Sequence, residues 1–205
     1  MARDTRQRIE ETALALFNAE GEPNVTTNRI ADELDISPGN LHYHFRTKSD
    51  LIEALFAAFE HRMLELLAAP EERVADIEDI WLLLHLAFET IGAYRFIYRD
   101  LSDLCARHRG LHQRFRGILR LTMESASSLC EDLIDDGRMK ASARELEALI
   151  RNVALVSTFW LAFDQVQDGE GVRPDRAAWQ VMSLISPYLV GESRAHLQAL
   201  AEAYT

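Results

Sequence analysis

Apolar residues in this chain recur at helical spacing, and glycine and proline cut the pattern into segments. The first places Ile9, Ala13, Leu16 and Phe17 on one face, with Arg and Glu opposite, and predicts an amphipathic helix ending at Gly21. Two short helices are predicted next, at about Thr27 to Leu34 and Pro38 to Phe45, separated by Asp35-Ile36-Ser37, and a long one follows from about Lys48 to Ala68. Their starts carry their own chemistry. Thr26 or Thr27 can cap the second helix, Ser37 precedes a proline at the position that tolerates it, and Thr47 with Asp50 resembles a capping box. Short, short, long is the order of a helix-turn-helix with its supporting helix.

Beyond Pro70 the helices change character. About Ile77 to Ile91 and about Leu146 to Phe163 are apolar nearly all round, which predicts burial on several sides. Between them lie a short segment, about Phe96 to Arg107, and an amphipathic one from Leu111 to about Asp136. After a polar loop, Gln167 to Arg173, helices are predicted over about Pro174 to Ile185 and Glu192 to Ala203. No segment alternates like a strand. The expected fold is all-α, with a helix-turn-helix domain over residues 1–47 and a helical domain over residues 48–205.

Composition adds constraints. With 205 residues, 48% hydrophobic and 27% charged, the chain has the balance of a globular protein. No stretch reaches about 18 uncharged apolar residues, and the first residues carry charge where a signal peptide needs an apolar core. A cytoplasmic protein without a membrane partner is expected. Cys105 and Cys130 lack a Cys-x-x-Cys spacing and read as buried thiols. The net charge, 22 − 33 = −11, argues by itself against a nucleic-acid partner, because phosphate binding uses Lys and Arg to displace counterions. The first 50 residues hold six basic against nine acidic side chains, so a DNA-binding face has to come from placement.

The run from Thr27 to Ile52, with Ile30-Ala31, Ser37, Leu41, Tyr43-His44-Phe45 and Lys48, closely resembles the DNA-binding signature of the TetR/AcrR family of bacterial transcription regulators. The resemblance implies a homodimer that binds a double-stranded operator and responds to a small molecule held in the larger, helical-bundle domain. Gly21 to Val25, Ser37 to Leu41 and Tyr94 to Ser102 further resemble the regulators of polyhydroxyalkanoate storage genes, which implies an apolar-tailed effector such as an acyl-CoA or fatty acid. His42 stands where those relatives tend to have Tyr, so their DNA sequence does not carry over.

If Pro38 to Phe45 enters the major groove, Gly39, Asn40, His42 and Tyr43 face it and Leu41 and Phe45 point inward. Asn40 can pair with adenine and Gly39 lets backbone approach the duplex. Thr27, Asn28, Ser37, Tyr43, His44 and Lys48 complete the DNA-binding set, Lys48 as a phosphate contact near a helix start. The alternative for Tyr43 to Phe45 is core packing, which is accepted for Phe45, and for Lys48 it is a solvated surface charge.

In the second domain Trp81, His85 and Phe88 share a helical face and, with Tyr98, Phe115, Leu119 and Met123, could line an apolar ligand pocket with one polar group. The same residues could equally be core. Dimerisation is expected to use about Leu146 to Phe163 and Ala177 to Leu189, with Phe159, Phe163, Trp179 and Met182 as contacts. Cys105, His108 and His112 have metal-ligand side chains, but Gly110 is expected to interrupt their helix and Arg107 and Arg109 bring positive charge, so no metal is assigned. No phosphate loop, nucleophile–base pair or other catalytic constellation is found, so neither an enzyme nor a cofactor is expected. The alternative to a promoter regulator is a DNA-bound protein of the same fold that recruits another protein.

Overall fold

A computed structural model describes residues 2–68, 76–167 and 173–204. The expected break at Pro70 and all but the ends of the Gln167 to Arg173 loop lie outside them. Among the described residues there are eleven α-helices and no strand: α1 (Ala2–Glu20), α2 (Thr27–Glu33), α3 (Pro38–His44), α4 (Lys48–Leu67), α5 (Ile77–Ala93), α6 (Arg95–Arg99), α7 (Leu101–Arg107), α8 (Arg109–Asp135), α9 (Ala143–Gln167), α10 (Pro174–Ile185) and α11 (Glu192–Tyr204).

Two compact units form: Met1–Arg62 with Tyr94–Arg114, and Met63–Ala93 with Phe115–Thr205. The boundary therefore falls inside α4, not between residues 47 and 48. Residues 94–114, expected in the larger domain, pack with the first unit. Side chains explain this. The last carbonyls of a helix lack partners within it, and those of α1 receive them from α6. Arg99 donates to Phe17 O at 2.6 Å and Asn18 O at 3.3 Å, and Arg95 to Asn18 O at 3.1 Å. The Phe96 amide donates to Asn18 Oδ1 at 3.1 Å, and the Phe17 and Phe96 rings sit 5.3 Å apart. Arg114, at the start of α8, donates to Glu53 at 3.1 Å and Glu60 at 2.9 Å on α4.

Within the first unit, α1 stops at Gly21, whose φ of +92° suits glycine. Thr26, not Thr27, caps α2, accepting from the Arg29 amide at 3.1 Å. The turn into α3 places Asp35 at φ +53°, a left-handed conformation that a short polar side chain tolerates, and the Ile36 amide donates to Ala31 O at 3.0 Å. Ile9, Phe17, Ile30, Leu41, Phe45, Phe56 and Phe59 make up the core.

In the second unit α10 packs mainly against α5 and α9, burying Ala177, Ala178, Val181, Met182 and Ile185. α9 starts earlier than predicted because Ser142 and Glu145 form a reciprocal cap: the Ser142 amide donates to Glu145 Oε2 at 2.8 Å, and the hydroxyl accepts from the Glu145 amide at 3.4 Å. The expectation that α5 and α9 are buried on several sides is corrected. Leu82 and Leu86 of α5 are exposed, as are Leu155, Phe159, Phe163 and Val166 of α9. α9 is apolar and long enough to cross a membrane by length and composition, yet only 28% of its most apolar window is buried. Cys130 is buried and Cys105 only half-buried, against the reading of both as buried.

Candidate nucleic-acid interface

The helix-turn-helix is built by caps and a small apolar anchor. Ser37 Oγ accepts from the Asn40 amide at 3.2 Å, Pro38 occupies the first turn, and Leu41 and Phe45 are buried. Thr47 and Asp50 satisfy each other's amides, at 2.9 and 3.1 Å, and start α4. With both ends pinned and Leu41 inward, α3 turns Gly39, Asn40, His42 and Tyr43 to solvent. Tyr43 is 81% exposed, more than core packing allows, and its ring meets His44 edge-on at 5.2 Å. His42 Nδ1 lies 3.3 Å from Arg46 O. Asn28 and Ser37 are exposed, and Thr27 and His44 half-buried.

Lys48 is placed differently from its expected role. Its ammonium sits 2.8 Å from Oε1 of buried Glu22, donates to Glu22 O at 2.5 Å and lies over the Phe17 ring at 5.5 Å. Arg107 pairs with the other oxygen of the same carboxylate. The reason is elementary: a carboxylate that is 1% exposed needs cations beside it. Lys48 is thus a structural tie first. Arg46 was passed over by sequence reasoning. It is exposed, lies two residues beyond the end of α3 and enters no ion pair among the described residues, and being a basic side chain close to the short helix was its only signal. Arg29 is spent on Glu33 at 2.6 Å and Glu20 at 3.3 Å.

Of the ligand candidates, Trp81, Phe88 and Phe115 are buried in the second unit, while His85, Leu119 and Met123 are half-buried there. Tyr98 belongs to the first unit, edge-on to Phe59 at 5.7 Å, where burial pushes its hydroxyl well above the usual range. His85 Nδ1 is buried without a hydrogen-bond partner, and its Nε2 lies 3.6 Å from Glu89. An open depression of about 450 Å³, lined by Ile134, Met139, Lys140 and Glu145 among others, contains none of the candidates. Phe159 and Phe163 are exposed and Trp179 is half-buried, but Met182 is wholly buried in its own chain, so its expected contact role is corrected. The Cys105, His108 and His112 trio spans a break at His108, not Gly110, and among the described residues no three His, Cys, Asp or Glu side chains gather to hold a metal.

A capped, solvent-facing short helix anchored by a three-helix core defines a helix-turn-helix DNA-binding protein. The model for bacterial regulatory proteins of the tetR family matches residues 9–55, and the TetR model for bacterial transcriptional repressors matches residues 58–197. The chain belongs to the TetR family of DNA-binding transcriptional regulators. It is 36% identical to a TetR-family transcriptional regulator from Marinobacter aquaeolei VT8, with 98% of each chain covered and a TM-score of 0.88. It is 56% identical over 50 residues, 24% of this chain, to an HTH-type transcriptional regulator of Staphylococcus aureus (strain USA300), a match spanning only 27% of that relative's length. The fold alone is shared with a transcriptional regulator from Saccharomonospora viridis in complex with choline, at 19% identity, 92% and 99% coverage and a TM-score of 0.72.

Proposed function

We propose that this regulator binds a two-half-site operator in the cytoplasm as a homodimer, and that an apolar-tailed small molecule, an acyl-CoA or fatty acid, changes its operator affinity. The observation that carries the effector is His85: a buried, unpaired imidazole nitrogen beside Trp81 and Phe88 on α5 offers one polar contact in apolar surroundings. The choline complex shows that this fold can hold a small molecule in another protein. The homodimer is supported by the exposed stripe Leu155, Phe159, Phe163 and Val166, which a second copy can bury through a symmetric contact. Two half-sites lie about 34 to 36 Å apart or a multiple of it, so an effector that favours another spacing weakens binding by its differential affinity for the two states. Asn40, Tyr43 and Gly39 read bases in this scheme, with Asn28, Thr27, Ser37, His44 and Arg46 toward phosphates.

The test is a melting series with acyl-thioesters and free fatty acids of increasing length. Each buried methylene contributes about 0.8 kcal/mol, so melting temperature rises with chain length until the site is full. A ligand at 100 times its dissociation constant stabilises the native state by about 2.7 kcal/mol. His85→Ala and Phe88→Ala reduce the rise, and the same ligands shift operator affinity. A flat series with both classes rules out the acyl effector.

A further inference from the structure

α3 carries two features that the fold does not require. Gly39 occupies the first turn, where glycine is less favourable than alanine. A Cβ there would meet only Ser37 Oγ, at 3.9 Å, an ordinary contact, and Gly39 is not among the positive-φ glycines. Neither packing nor backbone conformation calls for the missing side chain. What a Cβ would obstruct is something arriving from outside. His42 is three residues on, along the same ridge of the helix, and is exposed.

The His42 ring is held in one sense. Its Nδ1 lies 3.3 Å from the Arg46 carbonyl oxygen. A carbonyl only accepts, so Nδ1 carries the hydrogen, and in the neutral ring Nε2 keeps its lone pair. An imidazole is short compared with arginine or lysine. It touches a base edge only where the backbone comes close, and the bare Cα of Gly39 allows that approach. In the major groove only cytosine N4 and adenine N6 present an amine, whereas guanine presents N7 and O6 and thymine O4, all acceptors.

We infer that the Gly39–His42 edge of α3 goes deepest into the groove and that His42 Nε2 accepts from an exocyclic amine, the cytosine N4 or adenine N6 of one base pair in each half-site. The inference rests on α3 being the reading helix, and the experiment separates the two. Full-length wild type, His42→Phe and Gly39→Ala are each used to select duplexes from a randomised pool. Affinities are then measured on the selected duplex and on copies in which the amine is deleted, 2-pyrimidinone for cytosine or purine for adenine.

Wild type is expected to select one base pair at one position per half-site. His42→Phe keeps its melting temperature and the other preferences but loses that one, with roughly tenfold weaker binding to the selected duplex. Deleting the amine costs wild type the same factor and His42→Phe nothing further. Gly39→Ala melts no lower than wild type yet binds the selected duplex at least about tenfold more weakly. No position lost by His42→Phe, no cost to wild type when the amine at that position is deleted, or Gly39→Ala binding like wild type overturns the inference. If wild type enriches no sequence, the reading role of α3 fails and this inference with it.

Discussion

Glu22 shows how a single residue organises the reading unit. Its carboxylate is 1% exposed and takes Lys48 and Arg107, while its amide donates to Asp100 Oδ2 at 3.3 Å. The start of α4, the end of α7 and the turn after α1 thereby meet at one acid. Glu22→Gln takes the charge partner from Lys48 and leaves Arg107 with Asp103 alone, and is expected to lower stability by about 2 kcal/mol, read by urea unfolding. Lys48→Ala should also destabilise, and a double-mutant cycle with Glu22→Gln should show coupling above about 0.5 kcal/mol. Independent effects would mean that the pair is not a working contact. Cys130 behaves oppositely: burial and nearby Glu131 push its thiol up to about 11, so little thiolate exists at pH 8. Iodoacetamide should leave it unlabelled in the native protein, react faster as pH rises toward 11, and label it readily in urea.

At the scale of elements, α3 has only seven residues and cannot persist alone; its ends and its anchor hold it. Ser37→Ala removes the cap on the Asn40 amide and is expected to cost about 1 kcal/mol, while lowering operator affinity because the reading residues lose their support. The turn before it depends on Asp35 at φ +53°. Asp35→Gly should be neutral or slightly stabilising, whereas Asp35→Ile should cost about 1 to 2 kcal/mol, since a branched side chain is strained in that region. Thermal melts of the two variants decide it, and equal melting temperatures would remove the strain argument. These caps were legible beforehand, because Ser37-Pro38 and Thr47 with Asp50 are local patterns. The Ser142 and Glu145 cap is equally local but lies before the apolar run that begins at Leu146, so periodicity alone does not reveal it.

For the molecule as a whole, the exposed stripe on α9 and the sparse free cations set the expectations. Phe159→Arg should leave the fold intact and shift sedimentation from dimer to monomer, whereas Met182→Asp, at a wholly buried position, should unfold the chain instead. A wild type that sediments as a monomer at micromolar concentration would end the dimer proposal. Because Lys48 and Arg29 are already paired, the chain brings few cations to DNA. The slope of binding against salt should be shallower than the about −10 of a strongly basic repressor.

The long helices, their order, the two capped starts of the reading unit and the inward Leu41 and Phe45 were determined by sequence alone, because periodicity and caps act between residues three or four apart, whereas the segment read as one from Phe96 to Arg107 is split at Asp100 into α6 and α7. Tertiary structure decided where charges go. Glu22 and Arg107, or Asn18 and Arg99, are about 80 positions apart, and no local pattern pairs them. Lys48 reads as a phosphate ligand from its neighbours and becomes a tie only once Glu22 is buried beside it. Likewise, α9 and α10 both read as apolar, but packing covered Met182 and left Phe159 open, since the distinction between core and surface is made by what a face meets, not by what it is made of.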